Sequence, residues 1–214
     1  MRKRFDEQLK ELNLEMQEMG RMVEEGIQKA IEALLKQDED LAQAVMDADA
    51  LVDQKQKEIE SICFKLLIQQ QPVASDLRVI SAALKMVTDM ERIGDHAADI
   101  SEMTLHLAHE PYIKNLDHIR QMATETTWML LQSIDAYVER DTKKASSIIS
   151  HDDIVDDLFA ETKKELIELI HQDKNNGEQA TDLLMVAKYF ERIGDHATNL
   201  AEWVIFSIDK RPRG

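Results

Sequence analysis

Eight carboxylates mark the chemistry this chain is equipped for. Asp49 with Asp53 and Glu91 with Asp95 each stand four residues apart, and Asp152 with Asp156 and Glu191 with Asp195 repeat both pairs further along. Residues at that spacing share one face of a helix, one turn above each other, with Cβ atoms about 6 Å apart. Like charges so placed repel by a few tenths of a kcal/mol per pair, trivial once but unexpected when kept in four places. Two kinds of counter-charge can offset it. One is a hard or borderline cation such as Mg, Ca, Mn, Fe or Zn, for which carboxylate oxygens are suitable donors. The other is arginine: Arg92 and Arg192 directly follow the two glutamates, and Arg78 lies upstream.

The carboxylates belong to a repeated motif. Glu91-Arg92-Ile93-Gly94-Asp95-His96-Ala97 recurs unchanged 100 residues later as Glu191-Arg192-Ile193-Gly194-Asp195-His196-Ala197. Chance identity over seven residues in such a chain has odds on the order of one in ten thousand or worse, so the stretches record an internal duplication. Upstream the register is 103, matching Asp38, Asp49, Val52 and Asp53 to Asp141, Asp152, Val155 and Asp156. The difference of three residues falls in a hairpin loop, where length changes are best tolerated.

The elements that must position these groups are helices. Leu9, Leu12, Met16, Met19, Val23, Ile27, Ile31 and Leu34 recur every three or four residues and form one apolar stripe. Asp38 can cap a second helix through Leu41, Val45, Val52, Ile59 and Leu66, which Gln69-Gln70-Gln71-Pro72 ends. A third opens at Ser75 or Asp76, buries Ile80 through Leu107 and stops near Pro111. The second half repeats the plan: Ile119 to Ile134, then Ile148 to Leu169, the turn Asn175-Asn176-Gly177, and Leu184 to Val204, ending before Arg211-Pro212. The expected fold is all-α, two tandem three-helix bundles with six helices in all, residues 1–110 forming the first bundle and 111–214 the second.

In an antiparallel hairpin, residues equidistant from the turn lie at one height. Asp53 with Glu91 and Asp49 with Asp95 are both centred on Pro72, while Asp156 with Glu191 and Asp152 with Asp195 are centred beside the Asn-Asn-Gly turn. Each half should therefore gather four carboxylates roughly 28 Å from its turn, at 1.5 Å rise per residue. At about 100° per residue these groups fall roughly 80 to 150° from the apolar stripe, on the rim or outer face of the bundle. A buried di-iron centre would instead point its ligands inward from two Glu-x-x-His motifs. The lone Glu168 and His171 pair, with no duplicate, reads as coincidence.

Gly94 and Gly194 carry a mid-helix cost of about 1 kcal/mol relative to alanine, which close packing of a neighbouring helix explains most simply. His96 and His196 read as outward surface histidines, and Asp99 and Asn199, one turn on, could extend the carboxylate groups. Cys63 is a single cysteine, so the chain forms no internal disulfide or thiol zinc site, and it reads as a small buried hydrophobe.

With 42 acidic against 26 basic side chains the net charge is −16, which repels nucleic acid and anionic lipid. The basic opening Met1-Arg2-Lys3-Arg4 precedes no long apolar run, and nothing approaches the roughly 20 residues of a membrane span. The protein is therefore expected to be cytoplasmic, with no direct membrane insertion. No glycine-rich cradle or basic cluster suggests direct phosphate binding.

The doubled Glu-Arg-Ile-Gly-Asp-His-Ala motif, the Asp-x-x-x-Asp of the preceding helix and Asp76-Leu77-Arg78 resemble the PhoU family over the whole chain. The second half departs from the pattern, with Asp182-Leu183-Leu184 in place of Asp-Leu-Arg, so the two sites need not bind equally. The resemblance implies paired three-helix bundles, often homodimeric, with multinuclear iron or zinc on the surface. Its ligands would be Asp49, Asp53, Glu91 and Asp95 in one half, and Asp152, Asp156, Glu191 and Asp195 in the other. It further implies a non-enzymatic negative regulator of phosphate uptake and of the phosphate-starvation response, acting with the ATPase of a phosphate ABC transporter and with a sensor histidine kinase. Two other classes stay open on the residues alone: a metal-cluster enzyme, for which no nucleophile or substrate pocket is visible, and a metal-independent helical interaction module.

Overall fold

The computed structural model describes residues 2–69 and 72–209, the side chains of residues 2–4 and 69 excepted. The described residues form six α-helices: α1 (Arg2–Lys36), α2 (Glu39–Gln69), α3 (Ala74–Leu107), α4 (Asp117–Glu139), α5 (Thr142–Gln172) and α6 (Gly177–Ile208). One 3-10 turn, Lys174–Asn176, joins α5 to α6. Helices α1 to α3 make one bundle and α4 to α6 the other, the all-α tandem arrangement that the repeated stripes predict. Gln70, Gln71, Arg211 and Pro212, expected to end α2 and α6, lie outside the described residues.

The short corners are duplicated as faithfully as the helices. Gln37 and Arg140, equivalent in the repeat, both adopt left-handed backbone, with φ of 54° and 57°. This conformation, usually given to glycine, reverses the chain just past a helix and lets the next amide reach back to the last turn. Asp38 N–H accordingly donates to Ala33 O at 2.9 Å and Asp141 N–H to Ala136 O at 3.0 Å. Each aspartate then caps the following helix, Asp38 Oδ1 accepting from Leu41 N–H and Asp141 Oδ1 from the amides of Lys143 and Lys144. The start of α3 differs slightly from expectation: it begins at Ala74, and Asp76 acts from inside the first turn, accepting from Val73 N–H at 3.2 Å.

The bundles share one core. Phe190, Leu12, Met16, Ile80, Met90 and Ile93 are all fully buried in it. Helices α3 and α6 run antiparallel along the seam and form the most extensive helix pair, while α1 packs on α4 beside them. The latter contact depends on Gly20, where a Cβ would lie 2.2 Å from Ile134 Cδ1, closer than real side chains approach. Polar ties reinforce the packing within each bundle: Ser133 Oγ of α4 donates to Ala197 O of α6 at 3.2 Å, and Gln37 Nε2, just past α1, donates to Leu107 O and Glu110 O at the end of α3 at 2.7 Å each.

Candidate metal centre

The first carboxylate group assembles on the α2 and α3 surface. Oxygens of Asp53, Glu91 and Asp95 lie within 4.8 Å of one another, and among the described residues this is the set of three potential ligands that converges so closely. Asp49 sits beside them, its Oδ1 3.7 Å from where a Cβ on Gly94 would be. All four side chains are half-buried. Burial and mutual repulsion push the carboxyls of Asp49 and Glu91 above the ordinary range, Asp49 being raised by desolvation and then by Asp95, Asp53 and Asp99, and Glu91 by desolvation and then by Asp95. This is an acidic site held partly out of water with insufficient counter-charge. Arg92 supplies some: its Nη1 bonds Asp95 Oδ2 at 2.9 Å and its Nε lies 3.5 Å from Glu91. Its side chain is 56% exposed, so that pairing is weak and displaceable.

The second group occupies the equivalent surface of α5 and α6 but differs in detail. Asp152 and Glu191 are half-buried, whereas Asp156 and Asp195 are exposed. Desolvation, Asp156 and Asp195 push the Asp152 carboxyl up to about 6, and desolvation followed by Glu191 raises both Asp156 and Asp195. Lys188 enters this group, its Nζ 2.6 and 2.5 Å from the two oxygens of Glu191 and 5.3 Å from the ring centre of Phe159. The first repeat has Thr88 at that position, whose hydroxyl turns back to Leu84 O at 3.1 Å. Lys188 escaped the sequence reading, although its place one turn before Glu191 was the signal that could have found it.

The motif glycines are explained by these approaches. A Cβ on Gly94 would lie 3.2 Å from Val52 Cγ1, and one on Gly194 would lie 2.9 Å from Asp152 Oδ1 and 3.3 Å from Val155 Cγ1. The glycine thus lets the preceding helix, and the aspartate it carries, come flush against the motif.

Three expectations need correction. Arg78 does not serve the carboxylates; it donates to the carbonyls of Phe206 and Asp209 and stacks over the Phe206 ring at 5.3 Å, so it closes the C-terminal end of α6. A guanidinium there meets the negative end of the helix dipole, a better partner than a distant acid. His96 and His196 do not face outward: their rings meet in the α3–α6 seam with centroids 5.7 Å apart. Asp99 and Asn199 turn to the same seam, Asp99 bonding His96 Nδ1 at 3.0 Å and Asn199 donating to Asp89 at 3.2 Å. The antiparallel crossing brings a face of one repeat against its copy, which no single-helix pattern encodes.

An all-oxygen donor set on a partly desolvated surface fits a hard or borderline cation, best in the first group, where no lysine has entered. Asp49, Asp53, Glu91 and Asp95 would hold it there, and Asp152, Asp156, Glu191 and Asp195 in the second. A cation would supply the missing counter-charge and open coordination positions toward solvent.

Comparison with known proteins agrees with this architecture. The PhoU domain model matches residues 16–104 and again residues 119–204. A phosphate-specific transport system accessory protein PhoU homolog of Clostridium acetobutylicum is 42% identical over 208 residues, covering 97% of this chain and 95% of its own. The corresponding protein of Aquifex aeolicus is 37% identical over 185 residues, covering 86% of this chain and 84% of its own. The crystal structure of PhoU from Pseudomonas aeruginosa superposes with a TM-score of 0.91 at 31% identity, covering 95% of this chain and 98% of that one. Two matched repeats, one shared core and duplicated carboxylate motifs on both bundles place this chain in the PhoU family.

Proposed function

We propose that this protein is a non-enzymatic regulatory adaptor of phosphate uptake. In this reading it docks on the ATPase of a phosphate ABC transporter and on a sensor histidine kinase, lowering uptake and the starvation response when phosphate is plentiful. The relatives at 42% and 37% identity are named as accessory proteins of a phosphate-specific transport system, which supports the setting. The observation that carries the mechanism is the convergence of Asp53, Glu91 and Asp95 on a partly exposed surface, with Asp152, Asp156, Glu191 and Asp195 at the equivalent sequence positions of the other bundle. Multinuclear iron or zinc bound there, with Mg, Ca or Mn as other candidates, would turn a repulsive acidic face into a rigid one able to accept oxygen ligands from a partner. No helix among the described residues is long and apolar enough to cross a membrane, which suits a cytoplasmic protein acting on the inner face of the transporter. The subunit arrangement that suits two such faces is a homodimer.

The deciding experiment is gene deletion with and without complementation. Phosphate uptake and phosphate-responsive promoter activity should both rise at high external phosphate, and the wild-type gene should restore both. Unchanged uptake and unchanged promoters would end the adaptor reading.

A further inference from the structure

The first bundle keeps open a cleft whose counterpart positions in the second bundle carry bulky side chains. It lies between α1, α2 and α3, measures about 210 Å³ and is walled mainly by apolar groups, Val23, Gly26, Val45, Ala48 and Val52 among them, with Asp49 also in its lining. A dry apolar space of about 150 Å³ suffices to hold a benzene ring. At the repeat register of 103 residues, Gly26 corresponds to Met129 and Ala48 to His151. Met129 is fully buried. His151 packs against Trp128 with ring centroids 4.3 Å apart and bonds Glu125 at 2.6 Å. Trp128 and Glu125 in turn stand where the first bundle has Glu25 and Met22.

Packing within the chain does not account for Gly26. A Cβ there would touch only Ala97 Cβ, at 3.8 Å, an ordinary contact, whereas the same atom on Gly20, Gly94 or Gly194 would collide or crowd. The helix nevertheless bears the cost of a mid-helix glycine, about 1 kcal/mol relative to alanine. What that glycine provides is the opening itself.

We infer that the cleft seats a bulky side chain, methionine or aromatic, carried by a helix of a partner protein. The inference rests on the adaptor reading and specifies one of its contacts. The second bundle supplies the template for the occupant, since methionine and a stacked ring pair take the equivalent positions there. Charge sets the flanks: the lining carries Glu25 and Asp49 against the single cation Lys29, in a chain of net charge −16, so lysine or arginine stands beside the anchor. Leu51, 58% exposed, continues the apolar rim. Pocketed anchors of this kind carry most of the energy of a protein interface. Asp49 belongs both to the cleft and to the first carboxylate group, so a seated anchor lies beside that group.

The test transplants the filling. Gly26→Met combined with Ala48→His copies the second bundle into the first, and binding to the purified transporter ATPase and to the cytoplasmic part of the kinase is measured by titration calorimetry. Methyl NMR of Val23, Val45 and Val52 is followed in the wild type during the same titrations. The expected result is binding of at least one partner with all three methyls shifted, and a folded double variant that binds it at least tenfold more weakly. Equal affinity of a folded double variant, or partner binding that leaves the three methyls unmoved, overturns the anchor and leaves the adaptor reading intact. A wild type that binds neither protein overturns both. Should the double variant unfold, the methyl shifts alone decide. Methyls that respond to free indole but to neither partner assign the cleft to a small molecule and also overturn the anchor.

Discussion

Lys188 grips Glu191 through both carboxylate oxygens, at 2.6 and 2.5 Å, at a position where the first repeat carries Thr88. One substitution has therefore given the second acidic group an ammonium held by both oxygens of its glutamate, where the first group has only the more exposed Arg92. A bound metal must displace that ammonium, so the first group should load at lower metal concentration. Lys188→Thr should bring the two sites together in affinity, with a gain of roughly tenfold or more at the second, since a hydrogen bond to a charged group is worth about 1.5 to 3 kcal/mol. Calorimetric titration of chelated protein with Mn²⁺ or Zn²⁺ reads this as two resolved steps merging into one, and unchanged steps would count against it.

The motif glycines and Gly26 should respond oppositely to alanine. Gly26→Ala meets only Ala97 at 3.8 Å and should stabilise the protein by about 0.5 to 1 kcal/mol through helix propensity. Gly94→Ala must move Val52, a buried β-branched side chain with one favoured helical rotamer, and should destabilise by about 1 kcal/mol. Gly194→Ala displaces Asp152 Oδ1 instead, so its larger effect should appear in metal affinity at the second site. Urea denaturation of chelated protein checks the first two and metal titration the third.

In chelated protein, acidity should relieve the second site. Asp152, pushed up to about 6 from its ordinary 3.8, holds its proton in the folded chain over a range where the unfolded chain has lost it. The folded state binds more protons there, so the stability penalty is fully present above about 6 and is lost as pH falls toward 3.8. His96, whose burial lowers its pKa, works in the opposite direction in the same range. Asp152→Asn separates the two: it should stabilise at pH 7.5 and have progressively less effect by pH 4.5. A pH-independent effect, measured by urea midpoints, would refute the repulsion argument.

Arg78 should matter for stability without affecting metal. Arg78→Met keeps the aliphatic stem over Phe206 but removes the donors to the α6 carbonyls, and should cost about 1 kcal/mol with metal stoichiometry unchanged. A thermal melt with elemental analysis tests both halves of that statement.

The helices, the duplication and the gathering of Asp53, Glu91 and Asp95 were legible in the residues, because an antiparallel hairpin is nearly one-dimensional. Once the apolar period locates two helices and the turn between them, the rise per residue sets which side chains stand level. Asp38 and Asp141 could be read as a duplicated pair for the same reason, since capping is decided within four residues of chain.

What only the tertiary structure decided lies where one bundle meets the other or where the repeats have diverged in volume. His96 and His196 entered the α3–α6 seam, and Arg78 went to the far end of a helix 128 residues away. The openness of the cleft at Gly26 likewise emerged only from three helices packed together. Periodicity records that a face is buried but not which face it is buried against. Such pairings depend on summed shape and charge over distant segments, and that sum exists only once the chain has folded.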